Sequence, residues 1–261
     1  MTSAKLEMIY GINAVNDMIK MRPKAIEQLY VLDSRQDQRI RGLVEAANTL
    51  AIAVKPCNSS TFNQLLDQLI QSQQLDQDSV NHQGVLLVCR PAQAQDEKFL
   101  AALLNRSEQP LLFLLLDGVT DPHNLGACLR SADAAGADAV IVPKDNAAGL
   151  TPVVRKVASG AAETTPLVVA KNLARCIKNL QEAGVWVMGA TGDAEQSLFD
   201  LDLSAHTAIV MGAEGGGLRR LTSERCDSLF KIPMNGAVES LNVSVAAGIC
   251  VFEVLRQRQQ S

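Results

Sequence analysis

A chain of 261 residues with 47% hydrophobic residues and a formal net charge of −4 has the length and apolar content of one large domain or two modest ones. No run nears the roughly 18 apolar residues of a membrane span, and residues 1–10 carry neither a signal core nor an Arg-rich transit pattern, so a cytoplasmic protein without a membrane partner is expected. The charge lacks the basicity of a domain that binds nucleic acid over its whole surface, so any RNA site must be a local patch.

In chain order, residues 11–21 have helical spacing, with Ile12, Val15, Met18 and Ile19 apolar. Residues 28–32 (QLYVL) read as a strand, 37–50 as a helix, 51–54 as a strand, 62–70 as a helix and 84–88 (GVLLV) as a strand. The stretch 71–83, rich in Gln and Asp, reads as a loop. Residues 1–89 thus form a small α/β/α domain. Arg35, Arg39 and Arg41 make a basic cluster there, suited either to RNA or to a solvated helix face. Residues 90–107 read as a linker that opens on RPAQAQ and holds a short amphipathic segment at 96–104.

The second domain, 108–261, opens on PLLFLLL (110–116), a continuous apolar run suited to a strand buried on both faces of a parallel sheet. Similar runs recur at 139–142, 167–169, 185–188, 208–211 and 229–232. Helical patterns separate most of them: one over 125–135 stopping at Gly136, one starting at Thr151 with Pro152 in its first turn, one over 172–183 stopping at Gly184. This alternation predicts a doubly wound α/β domain, with ligands at the carboxyl ends of the strands. The six cysteines (Cys57, Cys89, Cys128, Cys176, Cys226, Cys250) form no C-x-x-C pair and the three histidines are scattered. Neither a metal site nor a disulfide framework is expected, and most of the cysteines read as core residues.

Three loops break the pattern. In DGVTDPHNLGACLR (117–130), Asn124 sits where a helix cap belongs, Gly126 allows close backbone approach, and Arg130 stands on a helix otherwise filled by Leu, Ala and Cys, where it needs a carboxylate partner or a task. In VMGAEGGGL (210–218), Glu214 is set among glycines; the order is G-x-x-G-G-G rather than the dinucleotide-binding G-x-G-x-x-G. In IPMNGAVESLNVSVAAG (232–248), Ser240, Leu241 and Asn242 lead into a helix apolar almost all round, which implies burial on several sides, partly by a second subunit.

Taken in order, N-x-G-x-x-x-R, M-G-x-E-G-x-G and I-P-M-x-G-x-x-x-S-L-N-V-S-V-A resemble the three motifs of the SpoU (TrmH) family of RNA ribose 2′-O-methyltransferases. The resemblance spans the second domain and extends to the first, whose ends Y-G-I-x-A-V (10–15) and H-Q-G (82–84) look like those of the family's substrate-binding domain. It implies an α/β trefoil-knot methyltransferase domain that binds S-adenosylmethionine at the positions matching Gly212, Ile232 and Leu241. Gly212 would leave the cofactor the room that a Cβ takes, while Ile232 and Leu241 would flank the adenine. It implies catalytic roles for Asn124, Arg130, Glu214 and Asn242, with Arg130 as base or as oxyanion stabiliser. Because arginine stays protonated, the second role is the one expected. It also implies a homodimer through the C-terminal domain. The implied substrate is a guanosine in the peptidyl-transferase P loop of 23S rRNA, with tRNA as the alternative inside the family.

Two other readings stay open. A non-catalytic RNA-binding relative would have lost one of the four polar residues, and all four are present. A nicotinamide-dependent oxidoreductase would need the dinucleotide fingerprint.

Overall fold

The computed structural model describes residues 6–35, 37–73, 80–105 and 109–260. The chain divides into two compact units, Met1–Ala92 and Gln93–Ser261. Residues 74–79 of the expected 71–83 loop and residues 106–107 of the expected linker lie outside the described residues.

In the first unit, strands β1 (Glu7–Tyr10), β2 (Ile26–Leu32), β3 (Val54–Cys57) and β4 (Val85–Cys89) form a sheet in the order β1-β4-β2-β3. Strand β4 runs antiparallel to both neighbours, and β3 is parallel to β2. Because side chains alternate along a strand, Leu29, Val31, Val85 and Leu87 face a core shared with helices α1 (Ile12–Met21) and α2 (Gln38–Thr49). Tyr30, Leu32 and Leu86 face Phe62 and Leu69 of α3 (Ser59–Gln73). The α/β/α layering matches the sequence reading, which lacked β1 and set some boundaries differently. The strand expected at 51–54 begins only at Val54, because Ala51 takes a left-handed conformation (φ 55) and its N–H closes a turn on the Asn48 carbonyl. Helix α3 also runs three residues into the expected loop. The two ends picked out by the sequence meet. The Ile12 N–H donates to Gln83 Oε1 at 2.9 Å, and the Gly84 N–H donates to His82 Nδ1 at 2.9 Å. The His82 ring lies 5.0 Å from that of Phe62, and burial together with the Arg35 charge lowers its pKa. Arg35 pairs with Asp37 at 2.8 Å, Arg39 donates to Asn13, and Arg41 is exposed.

The second unit holds seven strands: β5 (Leu112–Asp117), β6 (Ala139–Pro143), β7 (Leu167–Ala170), β8 (Trp186–Ala190), β9 (Gln196–Ser197), β10 (Thr207–Gly212) and β11 (Ser228–Lys231). Their order is β7-β6-β5-β10-β8-β11-β9, and every pairing is parallel. Its helices are α4 (Glu97–Leu104), α5 (Pro122–Ala134), α6 (Pro152–Ala158), α7 (Ala161–Thr164), α8 (Leu173–Glu182), α9 (Arg220–Ser223) and α10 (Val243–Arg258). The continuous apolar run of β5 is explained by its two covered faces. Leu112, Leu114 and Leu116 pack with α5, α6 and α10, whereas Phe113 and Leu115 pack with α4 and α8. The segment of α4 lies against this core through Leu100, and the preceding Gln95 bridges to the β7 edge. Helices α5 and α6 approach closely at Gly126: a Cβ there would stand 2.7 Å from Val157 Cβ and 2.8 Å from the Val154 carbonyl oxygen. Five of the six cysteines are buried, and burial pushes the thiols of Cys128 and Cys250 up to about 12, so both stay protonated and inert at neutral pH. Among the described residues no helix is long and apolar enough to cross a membrane.

Candidate active site

Strands β5 and β10 are neighbours in register, with Asp117 opposite Gly212. The loops that leave their carboxyl ends therefore start side by side. The third loop leaves β11 and ends where α10 begins. All three motif loops thus rise from one edge of the sheet, where open parallel sheets bind ligands.

Asn124 does not cap α5, contrary to expectation. Asp121 does, accepting the His123 N–H at 2.9 Å, with Pro122 as the first helical residue. This places Asn124 inside the first turn, only 8% exposed, with its side chain free to bond across the site. Its Oδ1 accepts a hydrogen bond from Asn242 Nδ2 at 2.9 Å. Asn242 also donates to Glu214 Oε1 at 2.6 Å. Its Oδ1 caps α10, accepting the Ser244 N–H at 2.9 Å and the Ser244 hydroxyl at 2.6 Å. The cap fixes which way the amide points: its oxygen must face the Ser244 N–H, so its nitrogen faces the two acceptors. One side chain thereby joins the three loops.

The glycine loop is closed on itself. The Ala213 N–H donates to Gly217 O at 3.1 Å and the Gly217 N–H to Ala213 O at 3.0 Å, with Gly215 (φ 72) and Gly217 (φ 61) in left-handed conformations. A Cβ on Gly212 would lie 2.1 Å from the Gly217 carbonyl carbon and 2.4 Å from Leu218 N. The expectation that a bound cofactor demands glycine at 212 is corrected here, since the loop's own backbone fills that space.

Beside this loop lies a cleft of about 710 Å³, within the range of small-molecule sites. Gly212, Ile232 and Leu241 line it together with Met211, Val243 and Ala246, while Glu214 and Asn242 reach it from the rim. Apolar walls and a run of accessible backbone groups, with few side-chain charges, suit a nucleoside-type ligand bound through main-chain contacts.

Residues 111–252 match the SpoU rRNA Methylase family, and residues 8–95 match the RNA 2′-O ribose methyltransferase substrate-binding domain. The chain belongs to the SpoU rRNA methylase family. It is 50% identical to the 23S rRNA (guanosine-2′-O-)-methyltransferase RlmB of Coxiella burnetii, over 98% of each chain. Identity to the enzyme of the same name from Pseudomonas syringae pv. tomato is 49%, over 98% of this chain and 97% of the relative. In fold it is similar to the SpoU methyltransferase AviRb from Streptomyces viridochromogenes, solved with AdoMet, at a TM-score of 0.73 and 22% identity over 98% of this chain and 92% of that one.

In this SpoU-family chain, Arg130 stands apart from the Asn124–Asn242–Glu214 group. It lies on α5 one turn beyond Gly126, is exposed, and its side chain makes no hydrogen bond or ion pair with a described residue. The carboxylate partner that would make it a structural residue is therefore missing among the described residues. Two residues of the site escaped the sequence reading. Asp117 is buried at the end of β5, where Oδ2 accepts the Arg219 N–H at 3.1 Å and Oδ1 lies 3.5 Å from Arg219 Nη1. The available signal was a carboxylate ending a strand of five apolar residues, a place where a charge needs a specific partner.

Proposed function

We propose that this chain transfers a methyl group from S-adenosylmethionine to the ribose 2′-hydroxyl of a guanosine in 23S rRNA. The observation that carries the reading is that Asn242 bonds both Asn124 and Glu214 beside the cleft that Glu214 and Asn242 line. Relatives of about half identity along the whole chain, first unit included, favour rRNA over the tRNA alternative.

S-adenosylmethionine bound in this cleft supplies an electrophilic sulfonium methyl. Ile232 and Leu241, which line the cleft, would flank its adenine, and the backbone of the glycine loop would meet its polar edges. A ribose hydroxyl is a poor nucleophile until its proton is shared or removed. The Arg130 guanidinium serves as a fixed charge that lowers the hydroxyl's pKa and steadies the developing alkoxide. Glu214 is held by Asn242 and orients the ribose, and Asn124 with Asn242 positions the nucleotide. The first unit reads the RNA, and its substrate places the enzyme in the cytoplasm. Helix α10 is half of a homodimer interface. Val245 and Phe252 are exposed seven residues apart, with half-buried Ile249 between them, leaving an apolar stripe that a second copy would cover.

Mapping ribose methyl groups in 23S rRNA from cells with and without the protein tests this. One guanosine methyl, expected in the P loop, should disappear. Intact rRNA methylation beside a missing tRNA ribose methyl would replace the reading with its alternative.

A further inference from the structure

Asp117 and Arg219 form a pair that the cofactor cleft does not use. The Asp117 side chain is wholly shielded from solvent, 0% exposed. One of its oxygens takes the backbone N–H of Arg219. The other has no hydrogen bond and faces the Arg219 guanidinium at 3.5 Å. An asparagine would accept the backbone N–H equally well, so what the carboxylate adds is its charge. A charge withdrawn from water is tolerated only beside a partner, and here the partner is an arginine whose side chain is 48% exposed.

The location gives this arrangement its meaning. Arg219 directly follows the loop that carries Glu214. Its Nη2 lies over Gly118, the first residue after β5 on the way to Asn124; even a Cβ on Gly118 would come within 3.4 Å of it. Gly118 itself is left-handed, φ 87. The guanidinium thus sits between the two loops that Asn242 joins. A guanidinium has five N–H donors, and Asp117 faces one edge of the fork only, so donors remain on the half-exposed side. An arginine already held in place loses less side-chain entropy when it meets an anion, and its fork matches phosphate oxygens. On a chain of net charge −4, RNA affinity must come from such individual cations.

We infer that Arg219, anchored by buried Asp117, binds a phosphate of the RNA strand next to the target ribose. The inference rests on the rRNA-methyltransferase reading above and adds a contact to it. Asp117 is a positioning residue, acting through Arg219.

The test uses full-length protein and a 23S rRNA fragment containing the mapped guanosine, with RNA affinity measured over a range of salt. Arg219→Ala should weaken RNA binding about tenfold and lower the slope of log K against log salt by about 0.7–0.9, the loss of one phosphate contact. Its affinity for S-adenosylmethionine should stay within about twofold. Arg219→Lys should keep the slope and recover part of the affinity. Asp117→Asn, which retains an acceptor for the Arg219 N–H, should weaken RNA binding severalfold while cofactor affinity holds. Arg219→Gln replaces the alanine variant if that one is unstable. Unchanged RNA affinity and slope in the variant would overturn the inference, as would lost cofactor affinity with an unchanged slope. If wild-type protein methylates the fragment and only the variant result fails, the phosphate contact alone is wrong. If wild-type protein leaves the fragment unmethylated, the rRNA reading fails and the inference falls with it.

Discussion

The first unit covers one face of its sheet with two helices and the other with α3, so Met8, Tyr10, Tyr30 and Leu32 stay only half-buried. The second unit buries β5 along its whole length between two helical layers. The difference decides where polar chemistry can sit. In the second unit the middle of each central strand is apolar, and polar side chains stand at the strand ends, as Asp117 does where the three loops gather. In the first unit polar groups remain spread along the surface, and its loops are held by local contacts such as Ile12 to Gln83 and Gly84 to His82.

This contrast is sharpest in the expected effects of mutation. Arg130→Ala should lower turnover by about 10²–10³-fold, the scale seen when one fixed transition-state donor is removed. It should do so with an unchanged melting temperature, since Arg130 has no described protein partner to leave behind. Asn242→Ala should cost turnover about 10²-fold through misplacement of its two neighbours and, unlike Arg130→Ala, about 1 kcal/mol of stability through the lost α10 cap. Steady-state kinetics beside thermal melts separate the two. An Arg130→Ala enzyme of normal turnover would take the chemistry away from this edge.

A fragment beginning at Gln93 checks the division of labour. It retains both cores of the second unit, so it should bind S-adenosylmethionine as the full chain does and methylate 23S rRNA at least tenfold more slowly. Equal rates on rRNA would erase the distinction between the units.

Large exposed apolar side chains sharpen it further. Among the described residues, Leu6, Met21 and Leu50 belong to the first unit and eight others to the second, including Val245 and Phe252. Phe252, 46% exposed, faces outward, whereas Val251 on the same helix is 0% exposed. Phe252→Asp should therefore shift light scattering from about twice the chain mass of 28.0 kDa towards that mass without unfolding. Val251→Asp should unfold the second unit instead. A wild-type monomer with full activity would remove the interface.

The smallest expected effect is one of pH. His82 has a lowered pKa in the folded first unit, through burial and then the Arg35 charge. The unfolded chain therefore binds a proton first, and the stability tied to neutral His82 is present above the ordinary histidine value of about 6.5 and fades as pH falls below it. Both tyrosines, Tyr10 and Tyr30, lie in the first unit and the single tryptophan, Trp186, in the second. Near-ultraviolet tyrosine signals should thus lose thermal stability as pH falls below about 6.5 before Trp186 fluorescence does, and His82→Gln should flatten that difference. Parallel loss of both signals would show that His82 has no such local role.

The order of helices and strands was legible from residue periodicity because burying a parallel sheet on both faces leaves an unmistakable run such as 110–116. The three motif loops were legible as breaks in that pattern. Short edge strands were less so: β1 and β9 offer too few residues for a period to show, and Ala51 turned where a strand was expected because a left-handed residue leaves little trace in composition. What the linear order could not contain is partnership. Asp121 and Asn124 are equally good caps as sequence, and only the folded chain assigns the cap to Asp121 and frees Asn124 for Asn242, 118 residues away. Gly212 reads as room for a ligand until the returning Gly217 backbone is seen to occupy that space. The pairing of Asp117 with Arg219 spans 102 residues and exists because β5 and β10 are neighbours in the sheet. Local propensity and side-chain alternation act over a few residues and are written in the sequence. Hydrogen bonds and ion pairs between distant segments depend on which strands lie side by side, and only the tertiary structure decides that.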